Sequence, residues 1–269
     1  MKPTAFEYAR PSSIEEAVRL LAEANGAAKV LAGGQSLGPM MRLRLAKPSM
    51  LVDVRRIPEI TSITAGEGDL SVGAALTHAE VEDGKLPDTT RGMMRFVASG
   101  IAYRAVRNAG TIGGSLAHAD PSADWITCLS ALGAKVSVTG PKGTRQIPVD
   151  QLMVSAFETA LAPSEIITRV HIPNLSARAR WAFNKFCRKT GELAVAMCAV
   201  VIDPLRAVAR VAIGATESRP IVIADATSLL SSPMTSRSII YEGGHAFSPA
   251  TAQIHATILR RTLEQAARP

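Results

Sequence analysis

Two glycine pairs occupy near-duplicate settings in this chain, Ala32-Gly33-Gly34-Gln35-Ser36-Leu37 and Thr111-Ile112-Gly113-Gly114-Ser115-Leu116. Each pair precedes a serine, Ser36 after Gln35 in the first case and Ser115 directly in the second, and the first pair follows the short apolar run Val30-Leu31. Glycine permits a turn whose backbone N–H groups no side chain obstructs. Two such turns facing one another suit a pyrophosphate, whose charged oxygens point in several directions. Each charge-assisted hydrogen bond to it contributes roughly 1.5–3 kcal/mol. The implied ligand is a dinucleotide. For either pair alone a plain turn after a strand is the simpler reading, and it is the repetition that argues for a ligand. Neither segment has the third glycine of the Rossmann fingerprint or the Gly-Lys-Ser/Thr ending of a P-loop, which excludes an ordinary NAD domain or nucleoside triphosphatase.

The stretches Lys29-Val-Leu-Ala-Gly-Gly-Gln-Ser-Leu37 and Arg107-Asn-Ala-Gly-Thr-Ile-Gly-Gly-Ser-Leu-Ala-His-Ala-Asp-Pro-Ser-Ala-Asp124 resemble the two FAD signatures of the medium, flavin-carrying subunit of molybdenum hydroxylases. Shorter pieces at Phe6 to Pro11, Leu51 to Pro58, Thr77 to Val81, Glu165 to Thr168 and Lys185 to Gly191 extend the resemblance over nearly the whole chain. The resemblance implies that Ala32, Gly33, Gly34, Gln35, Ser36 and Leu37 hold the pyrophosphate from one side and Thr111, Ile112, Gly113, Gly114 and Ser115 from the other. It also implies that Asp120 and Asp124 lie near the nucleotide. There they would accept hydrogen bonds from ribose hydroxyls or backbone, because a carboxylate repels phosphate. A loop-capping role is the alternative for each. Leu161 and Lys185 match positions that approach the isoalloxazine, where a cation beside the N1–C2 edge would stabilise the reduced anion. The alternative for Lys185 is a solvated strand lysine. One departure stands out. Relatives often carry a tyrosine covering the flavin at the position of Leu193, and here the sequence reads Thr190-Gly191-Glu192-Leu193.

In such a family a molybdopterin cofactor on a large subunit hydroxylates the substrate, and iron-sulfur clusters on a small subunit relay the electrons. FAD on the medium subunit then passes them to an external acceptor, within a dimer of heterotrimers. No residue of this chain would act as acid or base on the substrate. Two other readings remain open: a stand-alone FAD oxidoreductase of the same fold superfamily, which would need its own substrate pocket, and a non-redox nucleotide-binding protein, which would be colourless.

The composition is consistent with this division of labour. The chain has three cysteines, Cys128, Cys187 and Cys198, fewer than the four thiolates of a two-iron cluster, so iron-sulfur centres would lie on a partner. His118 and Asp120 have no second ligand cluster beside them, and no metal site is expected. The net charge of +7 comes from scattered basic residues, aromatics are only 4%, and no nucleic-acid-binding signature is present. The longest apolar run, Ala194 to Ile202, lies between Glu192 and Asp203 and reads as a buried strand rather than a membrane span. The first residues, Met-Lys-Pro-Thr-Ala-Phe-Glu-Tyr, lack an apolar signal region, so a cytoplasmic protein is expected.

At 269 residues and 47% hydrophobic, the chain is long for one compact domain. Ser13-x-x-Glu16 reads as a capping box opening a helix over 13–24 that Asn25-Gly26 stops. Strands at Ala28 to Leu31 and Met50 to Val54, with a short helix in Leu37 to Leu45 between them, frame the first glycine pair. Strands are expected at Ile60 to Thr64, Leu70 to Gly73 and Lys135 to Thr139, with a turn at Gly140 to Gly143 and a return strand through Arg145 to Val149. Pro173 to Ser176 reads as a linker. Beyond it, Trp181 to Cys187, Ala194 to Asp203 and Ala207 to Ala215 suggest an antiparallel meander, with helices at Ala224 to Leu230 and Ala250 to Ala267. The fold class expected from pattern and resemblance together is α+β. It comprises a two-subdomain FAD-binding fold of the vanillyl-alcohol oxidase and carbon monoxide dehydrogenase flavoprotein type (residues 1–57 and 58–173) and a C-terminal α+β domain with an antiparallel sheet (176–269).

Overall fold

The computed structural model describes residues 2–231, 239–240 and 247–268. Near the N-terminus, β1 (Glu7–Ala9), β2 (Ala28–Leu31) and β3 (Met50–Asp53) form a parallel sheet in the order β1-β3-β2. Helix α1 (Ile14–Glu23) buries Ala17, Val18 and Leu21, one apolar stripe at helical spacing. Its start departs from the expected capping box. Ser13 Oγ accepts from Glu16 N at 3.2 Å, but the Glu16 carboxylate reaches Ser12 N (2.8 Å) and Ser12 Oγ (3.0 Å) instead of Ser13. Helix α2 (Leu37–Arg42) follows the first glycine pair and leads to β3.

The second sheet has five antiparallel strands in the order β4-β5-β10-β6-β7: β4 (Ile63–Ala65), β5 (Asp69–Gly73), β6 (Lys135–Gly140), β7 (Gly143–Pro148) and β10 (Ile166–Pro173). The expected strand over Ile60 to Thr64 is half wrong. Pro58 opens a helical turn, α3 (Pro58–Thr61), and the strand begins only at Ile63. Proline's fixed φ and missing N–H suit the first helical position, which is why the turn forms there. Between β5 and β6 lie α4 (His78–Glu82), α5 (Met93–Ser99), α6 (Arg104–Arg107), α7 (Ile112–His118) and α8 (Asp124–Leu132). A small hairpin, β8 (Met153–Ser155) with β9 (Glu158–Thr159), precedes β10.

The stretch read as a linker is tightly tied. Asn174 N donates to Gly68 O (3.0 Å), Leu175 N to Thr89 O (2.8 Å), and Ser176 N to the buried Asp203 carboxylate (2.8 Å). Beyond it the meander β11 (Arg180–Phe186), β12 (Ala196–Asp203), β13 (Val208–Gly214) and β14 (Ile221–Ile223) forms the third sheet. All eight residues of β12 are buried, because its two faces feed two cores. Met197, Ala199 and Val201 join the large core shared with the first two sheets, whereas Ala196, Cys198, Val200 and Ile202 join a second core under the C-terminal helix Pro249–Ala267. Strand alternation with a period of two explains the split. Among the described residues no helix is long and apolar enough to cross a membrane.

Candidate functional site

The two glycine segments meet. A Cβ on Gly33 would lie 2.1 Å from Ala109 O and 2.7 Å from Gly110 Cα, so only glycine allows the first loop to rest on the backbone just ahead of Thr111. On its other side the same strip is fixed by α4: His78 N donates to Gly110 O at 2.9 Å, and a Cβ on Gly110 would lie 2.8 Å from His78 Nε2. Farther along, a Cβ on Gly114 would come within 3.7 Å of Ala32 Cβ. His78 is itself held by Trp125, whose Nε1 donates to His78 Nδ1 at 2.9 Å. Burial, with Arg107 nearby, pushes the imidazole down to about 4, so it stays neutral in this role at neutral pH.

The two segments present different chemistry. Gly34 is in the left-handed region (φ +69°), and among the described residues the N–H groups of Gly33, Gly34, Gln35 and Ser36 donate to no protein acceptor. Gln35 and Ser36 are exposed, and among the described residues the Ser36 hydroxyl makes no capping hydrogen bond to α2. This is a free amide cradle beyond the carboxyl end of a parallel strand, where open α/β sheets bind ligands. The expectation of a second free cradle is corrected. The N–H groups of Ile112, Gly113 and Ser115 already donate to Leu76 O (3.0 Å), Ala74 O (2.8 Å) and Thr111 O (3.0 Å). Gly114 N donates to the capping Thr111 Oγ1 at 3.1 Å. Gly113 and Gly114 are glycine for packing, since Cβ atoms there would lie 2.5 Å from Ala74 Cβ and 2.7 Å from Thr111 Oγ1. What the second segment offers a ligand is the Ser115 hydroxyl, which among the described residues has no partner, at the start of α7 where Gly114 lies beside Ala32.

A second convergence joins α8 to the C-terminal sheet. Lys185 Nζ on β11 donates to Asp124 Oδ1 and to Gly100 O, each at 2.7 Å. Asp124 opens α8 and is nearly buried, and that burial pushes its carboxyl up while the Lys185 ammonium favours the ionised form. Lys185 is thus a paired, partly buried cation rather than a solvated strand lysine. Asp120 caps its own loop, accepting from Ser122 N at 2.9 Å. Leu161 is brought to neither convergence by these contacts. It is half-buried against the large core and lines a cavity of about 620 Å³ with the Gly140–Gly143 turn, Arg145 and Glu165. Leu193 is 64% exposed and lies outside the strands.

Sequence reasoning passed over the loop that ties these groups together. Arg107 Nη1 donates to the carbonyls of Ile101 (2.8 Å) and Ala102 (3.2 Å), and Lys185 holds that of Gly100, so three successive carbonyls are gripped by cations. Arg107 opens the second signature, and its guanidinium also pairs with Glu82. Among the described residues no group of three or more histidine, cysteine or acidic side chains could hold a metal ion. Burial pushes the Cys198 thiol up to about 12 and also raises that of Cys128, which makes both inert.

The family profile for the FAD binding domain in molybdopterin dehydrogenase matches residues 4–175, a span that includes both glycine segments and the 100–107 loop. The chain belongs to the FAD-binding medium subunits of molybdenum hydroxylases. This medium subunit is 39% identical over 202 residues to the 6-hydroxypseudooxynicotine dehydrogenase complex subunit alpha of Paenarthrobacter nicotinovorans, covering 75% of this chain and 68% of that one. It is 38% identical over 202 residues to the carbon monoxide dehydrogenase medium chain of Hydrogenophaga pseudoflava, covering 75% and 70% of the two chains. A solved structure of reconstituted carbon monoxide dehydrogenase from Oligotropha carboxidovorans superposes with a TM-score of 0.91 at 30% identity, over 99% of each chain. The family likeness extends through the third sheet and makes the medium subunit a flavoprotein component of an oxidoreductase complex. The free amide cradle fits that cofactor.

Proposed function

We propose that this medium subunit is the electron exit of a molybdenum hydroxylase: it takes electrons from the iron-sulfur clusters of a small subunit and passes them to an external acceptor. The single observation that carries the reading is the seat of Gly33 on Ala109–Gly110, which sets four free amides opposite the amino end of α7. Those amides, with Ala32, the Ser36 hydroxyl, Leu37 and, across the gap, Thr111 and Ser115, would hold the pyrophosphate. Ile112, Gly113 and Gly114 would shape the close approach rather than donate to it. Asp120 and Asp124 order the loop and the helix start near the nucleotide. Lys185, fixed by Asp124 and Gly100 O, keeps its positive charge at one place, where it would offset negative charge at the ring edge. Leu161 would border the ring. When bound, FAD supplies the coupling of two-electron to one-electron transfer, and the protein supplies position and electrostatics.

The relatives' names describe chains of multi-subunit dehydrogenases. By that analogy the iron-sulfur and molybdopterin centres belong to a small and a large partner, in a dimer of heterotrimers in the cytoplasm. On this reading the chain divides into 1–57, 58–173 and 176–269. The test is purification of the chain alone. It should bind one FAD, hold neither iron nor molybdenum, and oxidise no primary substrate. A stoichiometric iron-sulfur cluster, or substrate oxidation by the isolated chain, would sink the reading.

A further inference from the structure

The loop that Lys185 and Arg107 grip ends in a residue without an assigned role. Tyr103 is 59% exposed, yet it is anchored at both ends. Its hydroxyl donates to Thr190 O at 3.0 Å, across 87 residues of sequence. Its ring lies on Gly191, where an added Cβ would meet Cζ at 2.6 Å and Cε1 at 2.7 Å. Gly191 sits at φ +85°, and Ala102, just before Tyr103, is left-handed at φ +42°. A non-glycine residue in that region is strained and is kept only where its surroundings enforce it. Here the carbonyls of Gly100, Ile101 and Ala102 are all bound by Lys185 and Arg107. The result is an aromatic ring held rigidly in solvent, two residues from Leu193 on the loop it rests on, and part of the same hydrogen-bonded cluster as the Lys185–Asp124 pair.

We propose that Tyr103 supplies the aromatic cover of the flavin that position 193 does not, reaching it from the loop before α6 instead of the loop after β11. The inference rests on the FAD reading above and adds to it the residue that covers the ring. The glycine at 191 and the strained Ala102 then serve one purpose, which is to set the phenol ring flat on one loop with its other side free.

The test is the fluorescence lifetime of FAD bound to the purified full chain. A phenol or indole against the ring system quenches excited flavin by donating an electron to it, and leucine or phenylalanine does so poorly. The parent should show a dominant short-lived component. Tyr103→Phe, which keeps the packing on Gly191, and Tyr103→Leu should both lose it, Tyr103→Trp should keep it, and Leu193→Ala should leave it unchanged. A short component that persists in Tyr103→Phe with FAD still bound overturns the proposal. So does a parent that binds FAD without one. Loss of FAD from Tyr103→Phe would also overturn it, because the phenol would then act only as an anchor for Thr190. Failure of the unsubstituted chain to bind FAD at all would instead strike the underlying reading.

Discussion

A single missing methyl group decides whether the two glycine loops can touch. Gly33→Ala would drive a carbon into Ala109 O, and Gly34→Val would force a β-branched side chain to φ +69°. Both should leave a folded chain by circular dichroism but strip its flavin absorbance. Gly114→Val should do the same for another reason, since the new side chain would displace Thr111 Oγ1 from the amino end of α7. The Lys185–Asp124 pair yields a second expectation. Lys185→Met would leave a carboxylate buried without its partner, which costs about 3–5 kcal/mol and is measurable as a lower urea midpoint. The double variant Lys185→Met/Asp124→Leu should recover most of that loss. A third concerns Asp53, buried at the end of β3. Burial raises its pKa, but hydrogen bonds from Arg55 and Tyr8 outweigh that effect and hold it down at about 2. A depressed carboxylate stabilises the fold above its unfolded pKa of about 3.9, and that stability is lost as pH falls through the folded value. The stability difference between the parent and Asp53→Asn should therefore be full at neutral pH and shrink between about pH 4 and 2, as followed by urea titrations across that range.

At the scale of elements, a complete capping box opens α4: Thr77 Oγ1 accepts from Glu80 N, and the Glu80 carboxylate accepts from Thr77 N. Thr77→Ala should cost about 1 kcal/mol in chemical denaturation. The first strands, α1, the β6–β7 turn and the C-terminal meander were legible because each carries a pattern long enough to read: an apolar stripe in α1, and the unbroken Ala194 to Ile202 run of a strand buried on both faces. The helices α4 to α6 were not, being five, seven and four residues long, too short for a 3.6-residue period to declare itself. The Gly33 loop and the Lys185 position could be read from motif chemistry. That Lys185 meets Asp124 was hidden, because 61 residues separate them and only tertiary packing joins α8 to β11. The occupied amides of Ile112 and Gly113 were hidden for the same reason, as their acceptors lie at Leu76 and Ala74.

Across the whole molecule, the large core runs through all three sheets, so a cavity opened far from the site should weaken the site as well. Leu116→Ala, at a residue wholly buried in that core beneath α7, should cost about 2–5 kcal/mol and lower FAD occupancy at elevated temperature, whereas the exposed Leu205→Ala should do neither. The topology has a consequence for when the protein becomes competent during its own synthesis. The middle strand of the second sheet, β10, is the last of its five to be made, and until it arrives β4–β5 and β6–β7 are two separate hairpins. Its Thr168 carbonyl receives Ala74 N, and the Ala74 carbonyl in turn receives Gly113 N. The amino end of α7 is thus secured by a residue that leaves the ribosome more than fifty positions after it. A nascent chain halted at residue 160 should capture no flavin, and one extended past residue 203, with β12 complete, is the first that could seat Lys185 against Asp124 in a closed sheet.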